Sequence, residues 1–393
     1  MCDICIKNAR IILPEKVLTG SVAITAGRIS RIYEGSPDYH EGQEIDAEGL
    51  YLMPGIIDMH SDAIEKEIQP RPNTLLPVHM AFHELEKRLA SSGITTMYHS
   101  LSLSNEWGVR DSEMVSVVID NINSYKKNLS MINHKIHLRY EITYLDGADI
   151  LLDLIRSNSI DLMSYMDHTP GQGQFKDDEA YKRFTIKTYG RIDSDFETYL
   201  KNSAELRNKI DWNKLMNIAL EAKEKGIALA SHDDDNYGKI DTLIDCRGSI
   251  SEFPINIETA IYAKNKGIYV CVGAPNIIRG KSHSSNMRAI DAVRAGACDI
   301  ICSDYIPGAM LPAALAVAKE NGDLPGAARM VSQNPAAALG IDKDLGSIEE
   351  GKIADMILFD ICGGYPVIMK TIVGGRIVYQ ADYAVMKGLV PCS

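Results

Sequence analysis

His60 and Asp62 stand two residues apart at the end of an apolar run, Pro54-Gly55-Ile56-Ile57-Asp58-Met59-His60-Ser61-Asp62. In a β-strand, residues at that spacing point to one face. The imidazole and the carboxylate therefore leave the strand side by side, aimed at one point. Such a pair begins a metal site, and barrel enzymes place ligands of this kind at the C-terminal ends of buried parallel strands. Four more segments end alike. Glu141 closes His137-Leu138-Arg139-Tyr140-Glu141, His168 follows Met163-Ser164-Tyr165-Met166-Asp167, His232 precedes Asp233-Asp234-Asp235, and Asp304 follows Ile300-Ile301-Cys302-Ser303. Taken singly, each is a hydrogen-bonded loop histidine or a helix-capping aspartate. Converging on one mouth, they make a ligand set suited to zinc, manganese or iron. The carboxylates suffice for two divalent ions, of which Zn2+ fits the donor set best. A metal pair sharing a carboxylate lowers the pKa of bound water and clamps attacking and leaving oxygens.

Cations form the second group. Lys66 and Arg71 follow the first motif closely, and Arg279, Lys281 and His283 cluster in a Gly-, Ser- and Asn-rich stretch. That stretch follows the seventh candidate strand, where barrels often bind phosphate. Arginine offers phosphate a two-pronged fork and lysine a point charge. Gly273 and Gly280 would let backbone N–H groups approach anionic oxygens. The net charge of the chain is −12, so an anionic substrate requires such local cations.

The elements that must position these groups alternate between apolar strands and amphipathic helices, the pattern of a parallel sheet with crossovers. Eight strands are expected, at Gly55–His60, Ile94–His99, Ile136–Thr143, Ile160–His168, Ile227–His232, Ile250–Phe253, Ile268–Gly273 and Ile300–Asp304. Helices are expected at 78–90, 112–125, 212–225, 257–266, 287–295 and 312–320. Short β segments with turn signals fill residues 1–53 and return after Gly346. Neither end would bury a core alone. The expected architecture is therefore α/β, a (β/α)8 TIM-like barrel over 54–345 with a small composite β-sandwich built from 1–53 plus 346–393. The polar Gly171–Arg191 segment has the length and position of a lid or substrate loop.

A hydrophobic content of 45% with 24% charged residues is that of a globular chain, and the acidic balance argues against nucleic acid or anionic membranes as partners. No apolar run reaches membrane-spanning length, and the N-terminus lacks the pattern of a signal peptide. The eight cysteines have no framework spacing, and Cys2-Asp3-Ile4-Cys5 lacks a second pair, so a reduced, cytoplasmic setting is expected. His99 is read as a packed histidine, His79 and His83 as surface or packing residues, and Trp107 and Trp212 receive no role.

Pro-Gly-x-Ile-Asp-x-His at the first strand, the strand-end histidines, Ser303-Asp304 and the late Gly346-Ser347-Ile348-Glu349-Glu350-Gly351-Lys352-Ile353-Ala354-Asp355 together resemble the amidohydrolase superfamily. That resemblance spans nearly the whole chain. It implies the barrel with its composite β-sandwich and a metal-dependent hydrolase. The common form ends strand one in His-x-His and bridges its metals with a carboxylated lysine. Here Asp62 replaces the second histidine, and Glu141 is the implied bridge. His60-Ser61-Asp62 with Glu65-Lys66, Pro70-Arg71-Pro72, His232-Asp233-Asp234, Ser251-Glu252-Phe253-Pro254 and Gly273-Ala274-Pro275-Asn276 resemble a narrower group. Its members are triphosphate diphosphatases acting on a ribose 1-methylphosphonate 5-triphosphate in phosphonate breakdown. The resemblance implies hydrolysis of a small anionic triphosphate to the 5-phosphate and pyrophosphate, and a homo-oligomer, dimer or tetramer. Metal would be held by His60, Asp62, Glu141, His168, His232 and Asp304, with Asp304 also taking the proton of the attacking water. Lys66, Arg71, Arg279, Lys281 and His283 would hold the phosphates. The rival readings are an amidohydrolase cleaving a C–N bond, which needs at most one such cation, and a metal-free scaffold protein.

Overall fold

The computed structural model describes residues 3–37, 42–104, 106, 108–128, 130–169, 171–173, 182, 204–282 and 286–383. Most of the 171–191 segment read above as a lid lies outside them, as do His283, Cys2 and Trp107.

At the N-terminus, strands β1 (Ile4–Ile12), β2 (Val17–Thr25), β3 (Arg28–Glu34), β4 (Gln43–Asp46) and β5 (Tyr51–Pro54) come first. The barrel follows as β6 (Ile56–Ser61), β7 (Ile94–Leu103), β8 (Asn133–Glu141), β9 (Leu162–Met166), β10 (Ala228–His232), β11 (Ile250–Glu252), β12 (Tyr269–Gly273) and β13 (Ile300–Cys302). These eight pair in sequence order, and every ladder is parallel. The ring is joined where β13 meets β6. Ser61 bridges to Asp304, the Ser303 N–H donates to Asp58 Oδ1 at 3.0 Å, and the Ser303 and Ser61 hydroxyls lie 2.7 Å apart. Burial pushes the Asp58 carboxyl up to about 6.

Helices cover the outside. The helix Val78–Ser91 buries Ala81, Phe82, Leu85 and Leu89, the stripe a 3.6-residue period lays on one face. Each fully buried Leu or Phe contributes about 1.5–3 kcal/mol. His99 and His134 sit behind the barrel wall in this layer, 2.9 Å apart, with Glu86 2.9 Å from His134, so His99 is a packed histidine.

The chain ends meet in a second sheet. Its strands run β16-β15-β14-β5-β1-β2-β3, with β4 on β1, where β14 is Met356–Cys362, β15 Tyr365–Val373 and β16 Arg376–Gln380. Antiparallel pairing of Met356–Phe359 with Tyr51–Pro54 joins the two termini. The hydrogen bonds run through all of it as one sheet over its own core of Ile6, Ile11, Val22, Leu52, Met356, Leu358 and Ile372. From this sheet β5 passes into the barrel through Gly55, where a Cβ would stand 2.2 Å from Thr95 Oγ1. Only glycine fits so close an approach.

Some elements differ from the expectation. β7 continues to Leu103, β9 stops at Met166, and short helices at Ala63–Ile68 and Ala274–Arg279 were not anticipated. The second arises because Pro275 sits in its first turn and Gly280 closes it at φ 65°. It places Arg279 at a helix end rather than in a loop. No described helix is long and apolar enough to cross a membrane.

Candidate active site

The barrel mouth holds a cavity of about 640 Å³, lined among others by His60, Asp62, His168, His232 and Asp304. That volume suits a ligand of nucleotide size. Asp62 lies just past β6, where it precedes the helix Ala63–Ile68, and His232 ends β10. His168 lies two residues beyond β9, and Asp304 two beyond β13. Asp233, Phe253 and Asp304, just past β10, β11 and β13, have left-handed backbones at φ 54°, 55° and 58°. For residues with a side chain that conformation costs about 1 kcal/mol or more, and such strain concentrates where geometry is fixed for a task. At Asp304 the constraint is visible. Its N–H donates to the His60 carbonyl at 3.0 Å, and its own carbonyl accepts from the Asp62 N–H at 2.8 Å. The last strand end is thereby tied to the first, which sets the two aspartates together.

Glu252 stands at the centre. Its Oε1 is 3.0 Å from His60 Nδ1, its Oε2 3.3 Å from His232 Nδ1, and it is completely buried. His137, below it, is held between the hydroxyls of Ser100 at 3.1 Å and Ser164 at 3.0 Å. Glu141, expected as the bridging ligand, turns elsewhere. Its carboxylate lies 3.1 Å from His168 Nδ1 and accepts from the His168 N–H at 3.3 Å. β8 ends at Glu141, so the side chain meets the loop after β9 and orients His168 there. Asp233 joins His168 and His232 in a second ligand group, with contacts of 4.0 and 3.8 Å.

The donor set fits a metal. His60 Nδ1 and Glu252 Oε1 face each other at 3.0 Å, yet neither makes a hydrogen bond, and the same holds for buried Asp62 Oδ1 and Asp233 Oδ2. Buried polar atoms are ordinarily hydrogen-bonded. Donor atoms converging without protons between them is the arrangement a shared cation satisfies. Burial, followed by the charge of Arg139, holds His60 and His232 well below the ordinary histidine range. Both imidazoles are therefore neutral at neutral pH, the form that ligates. Burial, then the charge of Asp62, pushes the Asp304 carboxyl up to about 7. Burial raises Asp233 to about 6 and lifts Glu252 as well.

The cations divide. Lys66, Arg279 and Lys281 line the cavity. The Lys66 amine is 3.5 Å from Asp62 and lies over the Tyr305 ring at 4.1 Å. Arg71 is not brought in. A turn in which the Thr74 N–H donates to the Arg71 carbonyl carries its side chain to the surface. Sequence reasoning passed over Glu252, His137, Arg139, Asp233 and Arg110. For two of these a signal existed: His137 and Arg139 alternate with Glu141 on one apolar strand, so all three face inward if one does. Arg110 comes from the 3-10 turn Gly108–Arg110 in the loop after β7, and nothing local marks it.

A family model described as the amidohydrolase family matches residues 212–386. The chain is 33% identical over 361 residues to the α-D-ribose 1-methylphosphonate 5-triphosphate diphosphatase of Escherichia coli (strain K12), covering 90% of this chain and 94% of that one. Among solved structures, the N-acetylglucosamine-6-phosphate deacetylase of Pasteurella multocida superposes with a TM-score of 0.65 at 16% identity, covering 96% of this chain and all of that one. A Xaa-Pro dipeptidase with bound methionine gives 0.66 at 16% identity over the same shares. At such identities the two structures speak for the fold alone.

Proposed function

The chain belongs to the amidohydrolase family, and on that footing we propose that this hydrolase is metal-dependent and cleaves the phosphoanhydride of α-D-ribose 1-methylphosphonate 5-triphosphate, releasing pyrophosphate. The observation that carries the reading is the pairing, within one cavity, of strand-end imidazoles and carboxylates with Lys66, Arg279 and Lys281. A triphosphate needs several cations, whereas an amide or cyclic C–N substrate needs one at most. The likeness to the E. coli diphosphatase over nine-tenths of the chain supports the same substrate class.

His60, Asp62, His168, His232 and Asp304 would hold the metal, with Glu252 between two of the imidazoles and Glu141 fixing the third. When bound, a divalent ion supplies charge for the developing phosphoryl oxygens and makes water nucleophilic at neutral pH. The rest is done by the chain. Asp304 accepts the proton of the water as oxygen attacks the phosphorus nearest the ribose. The bond from that phosphorus to the bridging oxygen breaks, and the electron pair leaves with pyrophosphate. Lys66, Arg279 and Lys281 hold the outgoing charge.

The test is phosphorus NMR of the ribose triphosphate incubated with metal-loaded protein. Pyrophosphate and the 5-phosphate are expected. Intact triphosphate, with cleavage of N-acyl or cyclic amide substrates instead, would move the assignment to C–N hydrolysis.

A further inference from the structure

Arg139 sits on β8 between His137, deeper in the barrel, and Glu141, nearer the mouth. Its side chain is 7% exposed and lines the cavity. Among the described residues no carboxylate lies within ion-pair distance of it, and its buried Nε makes no hydrogen bond. By contrast Arg110, also at the cavity, is held by Glu65 at 2.9 Å. A buried guanidinium without a counter-charge is costly, because its charge has left water with no carboxylate in return. Such a group persists where an anion arrives.

Among the described residues, the hydrogen bond that Arg139 does make indicates where that anion goes. Its Nη2 is 3.0 Å from His232 Nε2. Arginine always donates, so without metal Nε2 accepts from the guanidinium while Nδ1 faces Glu252 Oε2 at 3.3 Å; a metal on Nε2 would release that donor for an anion. The guanidinium is thereby set beside the ligand residues, on the floor rather than the rim.

We propose that Arg139 is a catalytic residue whose guanidinium grips the non-bridging oxygens of the phosphoryl group under attack, supplying a fixed positive charge from the chain itself. This rests on the phosphoanhydride reading and extends it. Lys66, Arg279 and Lys281 take the leaving pyrophosphate, whereas Arg139 serves the reacting phosphorus. As the water oxygen bonds to that phosphorus, charge moves onto its equatorial oxygens. A two-pronged planar donor meets them in a geometry a lysine cannot copy.

The experiment compares metal-loaded wild type with Arg139→Met and Arg139→Lys. It measures metal content by mass spectrometry, inorganic phosphate binding by calorimetry, and kcat and KM on the triphosphate. Arg139→Met should keep its metal, bind phosphate at least tenfold more weakly and lose about a hundred- to a thousandfold in kcat. Arg139→Lys should recover phosphate binding in part while kcat stays at least tenfold down. Phosphate binding and kcat within twofold of wild type in Arg139→Met would overturn the proposal, as would a defect fully explained by lost metal. Should Arg139→Met fail to fold, wild-type kcat in a folded Arg139→Lys overturns it equally. If the wild type cleaves no triphosphate, the phosphoanhydride reading fails by itself, and the phosphate-binding difference still decides whether Arg139 is an anion site.

Discussion

Asp304→Asn should separate stability from catalysis in opposite directions. Folding raises the Asp304 carboxyl from 3.8 to about 7, through burial and then the neighbouring charge of Asp62. A group raised on folding contributes stability that is fully present below its unfolded value and is lost as pH climbs through its folded value. Three units at about 1.4 kcal/mol each set a ceiling of about 4 kcal/mol, of which about 3 kcal/mol falls between pH 5 and pH 8. Metal-stripped wild type should therefore lose that much more stability over this interval than the metal-stripped asparagine variant, which carries no titrating group there. Urea unfolding of both proteins in chelator at pH 5 and pH 8 reads the difference. Asp58 and Asp233 titrate in both and cancel. Turnover of the metal-loaded variant should fall about a thousandfold, within the range for loss of a positioned base. Parallel stability profiles for the two proteins would refute the buried-charge reasoning, and near-normal turnover would remove Asp304 from proton transfer.

Other perturbations follow from single contacts. Glu252→Gln removes the charge between His60 and His232 and should reduce metal retention after dialysis at least tenfold, read by mass spectrometry; full retention would show that Glu252 only packs. Gly55→Ala forces a Cβ against Thr95 and should cost about 1–3 kcal/mol in chemical denaturation, with wild-type stability as the contrary result. Arg71→Ala should leave kcat/KM for the triphosphate within about twofold, whereas Lys281→Ala should raise KM about tenfold, the cost of one charge-assisted phosphate contact. Equal effects of the two would mean that Arg71 swings in from the surface.

Most of the barrel was legible because its signal is repetitive. Eight apolar segments of similar length alternate with amphipathic ones, and a strand buried on both faces reads the same wherever it occurs. Strand-end polar residues stood out for the opposite reason, as interruptions at the same place in each repeat. His60, Asp62, His168, His232 and Asp304 were found that way, and all line one cavity. Glu252 was harder to see. β11 is three residues long, so a glutamate at its end resembles an ordinary turn residue until the neighbouring strands bring His60 and His232 to it. Glu141 was visible but not its aim. Which imidazole a strand-end carboxylate meets depends on how far the next strand runs, and β9 stops short enough for His168 to fold back over it. Arg71 misled for a similar reason, because proximity in sequence to a ligand says nothing about which way a turn carries the side chain.

The claim on which the rest depends is a metal-dependent attack on a phosphoanhydride. The most direct measurement pairs metal analysis with phosphorus NMR of the ribose triphosphate before and after chelation. Pyrophosphate formed by the metal-loaded protein, abolished by chelation and restored by added Zn2+ or Mn2+, is the result expected. An intact triphosphate in the presence of fully loaded protein would contradict it.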